Sequence, residues 1–191
     1  MAADPKDSPR HYYTLEEYFA LERTGDGRYE YWDGEIVSMS GGSQEHGRIA
    51  GNYYFGLRQQ MAGLGCEVFN SEIPVKTPTL PPYRYPDTSV VCGEAAFENV
   101  DGIDTLINPT VIVEVLSPAT ERRDRNEKRA AYQVLPSLMD YLMLAQDAPH
   151  ATHFARDKWV RSDYGDLNAS IVLSIGCSLT LSEIYAAVRF E

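Results

Sequence analysis

The 191-residue chain lacks the features that mark several protein classes. No stretch approaches the ~18 consecutive apolar residues that a membrane-spanning helix needs. The first ten residues are polar and carry Pro5 and Pro9, so they contain no apolar core of a secretory signal. We therefore expect a cytoplasmic protein that has no membrane partner.

Cysteine is scarce. The three cysteines, Cys66, Cys92 and Cys177, are odd in number, and no pair has the spacing of a metal site. This argues against a structural zinc site. Cys92 and Cys177 lie within apolar runs, which predicts buried, reduced thiols.

An excess of basic residues is also missing. Seventeen Lys and Arg stand against 28 Asp and Glu, which gives a formal net charge of -11. Proteins that follow a phosphate backbone usually carry a basic excess, and this chain as a whole repels DNA. A role on DNA must therefore depend on metal ions, on assembly of protomers, or on a local basic cluster such as Arg122, Arg123, Arg125 and Arg129.

The length suits one domain over residues 1–191, with residues 1–12 as a flexible N-terminal segment. Capping-box patterns predict helices after Thr14 and Thr180, and Asp33-Gly34 is typical of the turn of a β-hairpin. Ser43 can cap a helix whose apolar face is formed by Ile49, Tyr53, Leu57, Met61 and Leu64. The order is helix, hairpin, helix, strands, helix, strands, helix. It predicts an α/β (α+β mixed) domain with a central mixed sheet flanked by helices.

Glu114 is the most informative residue. The strand predicted over 110–116 is apolar except for this carboxylate, which would be costly to bury unless something neutralises it. The alternatives are an ion pair, protonation or a metal ion. Asp87 opens a neighbouring predicted strand, and two carboxylates on adjacent strands repel unless a cation lies between them. Hard oxygen ligands of this kind suit Mg²⁺ or Mn²⁺, although Asp87 alone is also a common turn residue after proline.

Lys128 lies in the charged helix predicted over about 120–135, fourteen residues after Glu114. It is spaced i, i+4 from Asp124, which by itself predicts only an exposed ion pair. Its spacing from Ala131, Tyr132 and Leu135 places it on or beside the face that packs inward. A lysine there could reach the two carboxylates, orient a water molecule and stabilise a charged transition state.

These residues, taken in order, resemble the Uma family, a bacterial family classed as endonucleases and long catalogued as a domain of unknown function. The resemblance runs from about Thr14 to Val188. The motifs that carry it are Tyr29-Glu30 with Asp33-Gly34-Glu35, His46, Pro86-Asp87, Glu114-Val115-Leu116-Ser117-Pro118, Asp124, Lys128 and Tyr132.

The resemblance implies a restriction-endonuclease-like fold of the PD-(D/E)xK superfamily. It implies that Asp87 and Glu114 bind the metal, with the carbonyl of Val115 completing the ligand set, and that Lys128 is the motif lysine. The usual lysine position, two residues after the glutamate, is Leu116 here, and the Uma family shares this displacement.

Two further positions, Glu30 and His46, keep two interpretations each. Glu30 matches an acidic residue of the family that binds a second metal or its water, or it is a hairpin residue facing solvent. His46, in the first turn of its helix, contacts a phosphate or is partly buried near the helix cap. Asp124 and Tyr132 support the site through the same resemblance.

The function expected from this set is Mg²⁺-dependent hydrolysis of DNA phosphodiester bonds, with Mn²⁺ as a substitute and a homodimer as the assembly. The alternative is a non-catalytic metal-binding or nucleic-acid-binding module on the same fold. A weaker alternative is hydrolysis of another phosphate ester.

Overall fold

A computed structural model describes residues 11–39 and 42–190 of the chain. The chain forms two compact units, residues 1–41 and 42–191. That one domain spans residues 1–191 stays a prediction. The predicted flexible segment, residues 1–12, lies almost wholly outside the described residues.

The first unit contains helix α1 (Leu15–Glu22) and a hairpin of strands β1 (Tyr29–Trp32) and β2 (Glu35–Ser38). Thr14 caps α1 through the reciprocal bonds with Glu17 that the capping box predicted. At the hairpin turn Asp33 and Gly34 have φ angles of 46° and 88°. The sequence prediction of this unit is therefore confirmed.

The second unit carries the other elements. Its helices are α2 (Gln44–Met61), α3 (Glu121–Arg123), α4 (Arg129–Gln133) and α5 (Leu181–Ile184), with a π-helical turn at Asp124–Lys128 and a 3₁₀ turn at Asp157–Trp159. Its strands are β3 (Cys66–Asn70), β4 (Val75–Lys76), β5 (Tyr83–Arg84), β6 (Thr88–Cys92), β7 (Phe97–Val100), β8 (Ile103–Leu106), β9 (Val111–Val115), β10 (Asp140–Leu144), β11 (Ala151–Ala155), β12 (Val160–Tyr164), β13 (Ser170–Val172) and β14 (Ser178–Thr180). None of the helices described is long and apolar enough to cross a membrane.

A six-stranded mixed sheet in the order β12-β11-β10-β9-β6-β3 organises this unit. Strands β9 and β10 are parallel, and the other neighbours are antiparallel. The predicted mixed sheet with flanking helices is thus confirmed. A smaller sheet in the order β5-β4-β8-β7 was not predicted.

Alternation along β9 builds a core on each face of the large sheet. Val111, Val113 and Val115 pack on the side of Ile49 and Tyr53 of α2. The other face belongs to a second core, which contains Ile112, Leu116, Tyr132, Leu135 and Tyr141. Leu64, predicted on the buried face of α2, is instead exposed, because the helix ends at Met61.

Of the two cysteines predicted to be buried, reduced thiols, the prediction was wrong for Cys92. Cys66 and Cys92 are register partners on β3 and β6, and they form a disulfide. Cys92 is exposed at the end of its strand rather than buried. Cys177 is a buried thiol, as predicted, and burial raises its pKa to about 11.

A buried polar cluster links strands β10 and β11 to the segment that follows β13. Asp140, at the start of β10, accepts a hydrogen bond from the backbone N–H of Ser174 at 3.0 Å and a second bond from the Ser174 hydroxyl. Its other oxygen lies 2.8 Å from Nε2 of His153 on β11. Both residues of this ion pair are buried. A buried carboxylate with this many donors stabilises the fold only while its partners are in place.

Asp140→Ala is therefore expected to lower the free energy of unfolding by about 3–5 kcal/mol, because it leaves buried donors without their acceptor. Urea unfolding followed by circular dichroism measures the loss. The control is Asp157→Ala, which removes an exposed carboxylate and should change stability by less than about 0.5 kcal/mol. Equal, small losses in both variants would contradict the importance of this cluster.

Candidate active site

Glu114 lies where the sequence predicted it, one residue before the carboxyl end of β9. Its side chain is 3% exposed and shares a face of the strand with Ile112 and Leu116. Leu116 continues the pairing with β10 by donating to the carbonyl of Leu144 at 2.7 Å. The buried carboxylate therefore lies at the carboxyl ends of two parallel strands, which is where α/β sheets commonly place their sites.

Asp87 immediately precedes β6 and faces the same end of the sheet. The antiparallel register pairs Thr88 with Val113, so one step further brings Asp87 opposite Glu114. The backbone N–H of Val115 donates to Oδ2 of Asp87 at 2.6 Å, which fixes the carboxylate across the strand end. The structure thus brings together Asp87, Glu114 and Val115, as the sequence predicted.

Lys128 reaches this position from a π-helical turn. The predicted helix runs without interruption from Glu121 to Gln133, but its middle, Asp124–Lys128, is a π-helical turn between α3 and α4, and Asp124 and Lys128 are both buried. The Lys128 ammonium lies 3.3 Å from Oε1 of Glu114 and 3.3 Å from Oδ1 of Asp124. The expectation that the Asp124–Lys128 pair is exposed is therefore wrong, and Lys128 contacts Glu114, one of the two carboxylates toward which it was predicted to reach.

His46 lies in the first turn of α2, whose N-cap is Ser43. Its Nε2 is 3.1 Å from Oδ1 of Asp87, and 22% of its side chain is exposed. The hydrogen bond to Asp87 raises the pKa of His46 above its usual value, and partial burial opposes that rise. Both oxygens of Asp87 are therefore held by this chain, one by His46 and one by Val115.

Three charged groups, Glu114, Asp124 and Lys128, lie close together in this buried site. Burial raises the pKa of Tyr141 well above its usual value, and the nearby carboxylates of Glu114 and Asp124 add to the rise. The Tyr141 hydroxyl donates to the backbone carbonyl of Asp124 at 2.9 Å, and its ring packs 5.9 Å from the buried ring of Tyr132. Both tyrosines belong to the buried core on this face of the sheet.

The arginine cluster contributes less positive charge than the sequence suggested. Arg125 bonds to Glu121 at 2.7 Å, and Arg129 lies over the ring of Phe154 at 4.8 Å. The Arg122 side chain lies 3.9 Å from Glu127 but is 87% exposed. Arg122 is therefore the member of this cluster best placed to meet an anionic partner.

Gln146 is a further candidate residue of the site, and the sequence did not predict it. It follows β10, and its side chain accepts a hydrogen bond from Ser43, the N-cap of α2, at 3.2 Å. Two open clefts of about 410 and 750 Å³ meet at Gln146 and Asp147. Its place just beyond the carboxyl end of a parallel strand was a signal that the sequence did contain.

The donor set suits a hard divalent cation. Two carboxylates and a backbone carbonyl are oxygen ligands, and Mg²⁺ is commonly held by one or two carboxylates together with water and substrate phosphate. Among residues 11–39 and 42–190, however, no group of three or more His, Cys, Asp or Glu side chains is placed to hold a metal ion. Water and a substrate phosphate would have to complete the coordination of any metal bound here.

Glu30 belongs to the first unit, where the indole N–H of Trp32 donates to its Oε2 at 3.0 Å. The side chain is buried, so the interpretation of Glu30 as a residue facing solvent is wrong. Its predicted role at a second metal stays a prediction.

Comparison with known families finds one whose model matches most of this chain. A family model named Uma2, described as "Putative restriction endonuclease", matches residues 15–182. The chain belongs to the Uma2 family. The match includes both strands that carry the carboxylates and the helical segment that carries Lys128.

Two relatives of this Uma2 protein are uncharacterized proteins of Synechocystis sp. One is 31% identical over 189 residues, which cover 97% of this chain and 95% of the relative. The other is 28% identical over 164 residues, which cover 84% and 92% of the two chains. The similarity to both relatives therefore extends over most of their length.

The fold of the Uma2 protein also matches a solved structure. The crystal structure of a putative nuclease of the DUF820 family from Anabaena variabilis superposes with a TM-score of 0.73. The match covers 92% of this chain and 99% of that chain, at 16% sequence identity. The mixed α/β architecture is thus shared with that structure over nearly the whole of both chains.

Proposed function

We propose that this Uma2 protein is a metal-dependent endonuclease that hydrolyses DNA phosphodiester bonds at Asp87, Glu114 and Lys128. The observation that carries the proposal is the contact of a buried lysine with the one carboxylate of an apolar strand, opposite a second carboxylate. Such an arrangement is costly for the fold and is typical of functional sites. It also matches the residue types of the PD-(D/E)xK pattern, with the lysine on the following helical segment.

The residues have separate roles in this proposal. Asp87, Glu114 and the carbonyl of Val115 would hold Mg²⁺ or Mn²⁺, which supplies a polarised phosphate and a water of lowered pKa. Lys128 orients the attacking water and stabilises the negative charge that develops on the phosphate oxygens. Asp124 holds the ammonium of Lys128 from the other side.

His46 positions Asp87 rather than acting on the phosphate. Its ring holds Oδ1 of the carboxylate while Val115 holds Oδ2, so the carboxylate cannot rotate away from Glu114. A fixed ligand of this kind lowers the cost of ordering the site when substrate binds.

Cytoplasmic location and a homodimer belong to the same proposal. DNA in the cytoplasm is the expected substrate, and cutting both strands takes two sites. The cytoplasm keeps most thiols reduced, so in that compartment the Cys66–Cys92 disulfide would be subject to reduction.

A non-catalytic binding module remains the second candidate. It is favoured by the net charge of -11 and by the position of Lys128, which already lies between two carboxylates. Such a module would bind metal or nucleic acid without turnover.

Incubation of the purified protein with supercoiled plasmid, single-stranded DNA and a small phosphodiester separates the candidates. We expect cleavage of DNA in Mg²⁺ or Mn²⁺ and none in EDTA. Binding to DNA without cleavage under every metal condition would favour the binding module. Turnover of the small diester alone would indicate another phosphate ester as the substrate.

A further inference from the structure

Strand β12 forms one edge of the six-stranded sheet. It pairs with β11 on one side, and no strand of the described residues pairs with its other side. An edge of this kind presents unpaired backbone N–H and C=O groups, which can extend the sheet into a second chain. The question is which chain fits.

The sequence of β12 is complementary to itself. Reading Val160-Arg161-Ser162-Asp163-Tyr164, an antiparallel pairing centred on Ser162 brings Arg161 opposite the partner's Asp163. By the same symmetry Asp163 faces the partner's Arg161, and Val160 faces the partner's Tyr164. Opposite charges at directly facing positions stabilise a strand pair, and an isologous two-fold contact makes each such pair twice.

The side chains of this strand already have the required arrangement. Arg161 and Asp163 lie on one face and are joined by two bonds of 2.8 and 3.0 Å. Val160 and Tyr164 lie on the other face, and Val160 is 56% exposed. Pairing with a second copy would bury this valine against a tyrosine ring and add a second carboxylate to each guanidinium.

We propose that β12 pairs antiparallel with β12 of a second copy of this chain, about a two-fold axis at Ser162. The result is a dimer with one continuous twelve-stranded sheet. The inference deepens the homodimer of the proposed function, but it concerns assembly alone and stands whether or not the protein cleaves DNA.

The register fixes where the candidate sites lie in this dimer. Val115, Leu144, Ala151 and Tyr164 form one row across the sheet, so the free end of β12 near Tyr164 is level with the site. Antiparallel pairing therefore puts the two sites at opposite ends of the strands. Seven strand spacings of about 4.8 Å separate them across the sheet, which is roughly 34 Å.

Charge reversal tests the interface without DNA or metal. The native protein should have twice the monomer mass by light scattering. Arg161→Asp and Asp163→Arg should each be monomeric, because each places like charges opposite one another. An equimolar mixture of the two variants should recover the dimer, since one chain then presents two carboxylates on β12 and the other presents two guanidinium groups at the facing positions.

The same experiment tests whether the two variants are folded. The Arg161–Asp163 pair within one chain is exposed, so Arg161→Asp should leave the midpoint of urea unfolding nearly unchanged. Asp163→Arg also removes the acceptor of the buried Thr152 hydroxyl, so its midpoint should fall, and recovery of the dimer on mixing shows that both variants are folded. A monomeric native protein, or a dimer that both single variants retain, would overturn the proposal.

A crosslink provides an independent measurement. Ser162→Cys should form a disulfide-linked dimer on oxidation, because the residue faces its own copy across the axis. Ser170→Cys, exposed on β13, should not. Equal crosslinking of the two variants would also overturn the proposal.

Discussion

Replacing Glu114 with glutamine is expected to reduce DNA cleavage by at least about 100-fold, the order of loss found when one charge-stabilising group leaves an active site. The change keeps the size of the side chain and removes the negative charge that would bind the cation. Lys128 keeps its contact with Asp124 at 3.3 Å, so the fold should remain intact. Initial rates of plasmid nicking in Mg²⁺, with circular dichroism as a test of folding, measure the effect.

The matched control is Glu127→Gln, on the π-helical turn that carries Lys128. Glu127 has a side chain that is 47% exposed and lies 3.9 Å from Arg122, away from the buried carboxylates. The control variant should cleave DNA at close to the native rate. If Glu127→Gln lost activity as severely as Glu114→Gln, the assignment of Glu114 as the metal ligand would lose its support.

Lys128→Met is expected to reduce both DNA cleavage and the free energy of unfolding. Cleavage falls because the group that orients the water is gone. The free energy of unfolding falls by about 3–5 kcal/mol, because the ammonium that contacts both buried carboxylates is removed. Urea unfolding in EDTA measures the second loss.

Two comparisons separate the loss of the buried lysine from the loss of any lysine. Lys76→Met removes a lysine whose partner, Glu98, is exposed at the surface, so it should cost only about 0–1 kcal/mol. Added Mg²⁺ should stabilise Lys128→Met more than the native protein, since a divalent cation replaces the missing positive charge. A Lys128→Met protein as stable as the native chain in EDTA would contradict the account of the buried pair.

Much of the central sheet could be predicted because its signal is local. The apolar run of β9 and the caps at Thr14, Ser43 and Thr180 depend on neighbouring residues alone, and each occurs as predicted. Glu114 was identifiable for the same reason, since a single carboxylate within an apolar strand requires an explanation. The helix after Thr180 is short and ends at Ile184.

The features of the site that the sequence did not predict depend on contacts between residues distant in the sequence. His46 and Asp87 are 41 residues apart, and nothing near either residue indicates their bond. The disulfide likewise depends on the register of β3 against β6. The spacing of Lys128 from Ala131, Tyr132 and Leu135 indicated its inward position, but its i, i+4 spacing from Asp124 predicted only an exposed pair and did not show that Asp124 is buried with it.

The buried pair of Asp140 and His153 was missed for a different reason. Asp140 opens an apolar strand just as Asp87 does, but it lies outside the motifs that resemble the Uma family. A carboxylate beside Tyr141 and Leu142 is as costly to bury without a partner as that of Glu114, so the sequence did contain a signal for this pair.

The most direct measurement is the rate of supercoiled-plasmid nicking by the native protein in Mg²⁺, after chelation with EDTA, and after Mg²⁺ is restored, with Glu114→Ala purified in parallel. The account predicts nicking that EDTA abolishes, that Mg²⁺ restores, and that Glu114→Ala lacks. Equal nicking by the two proteins, or no nicking by the native protein in any metal, would contradict it.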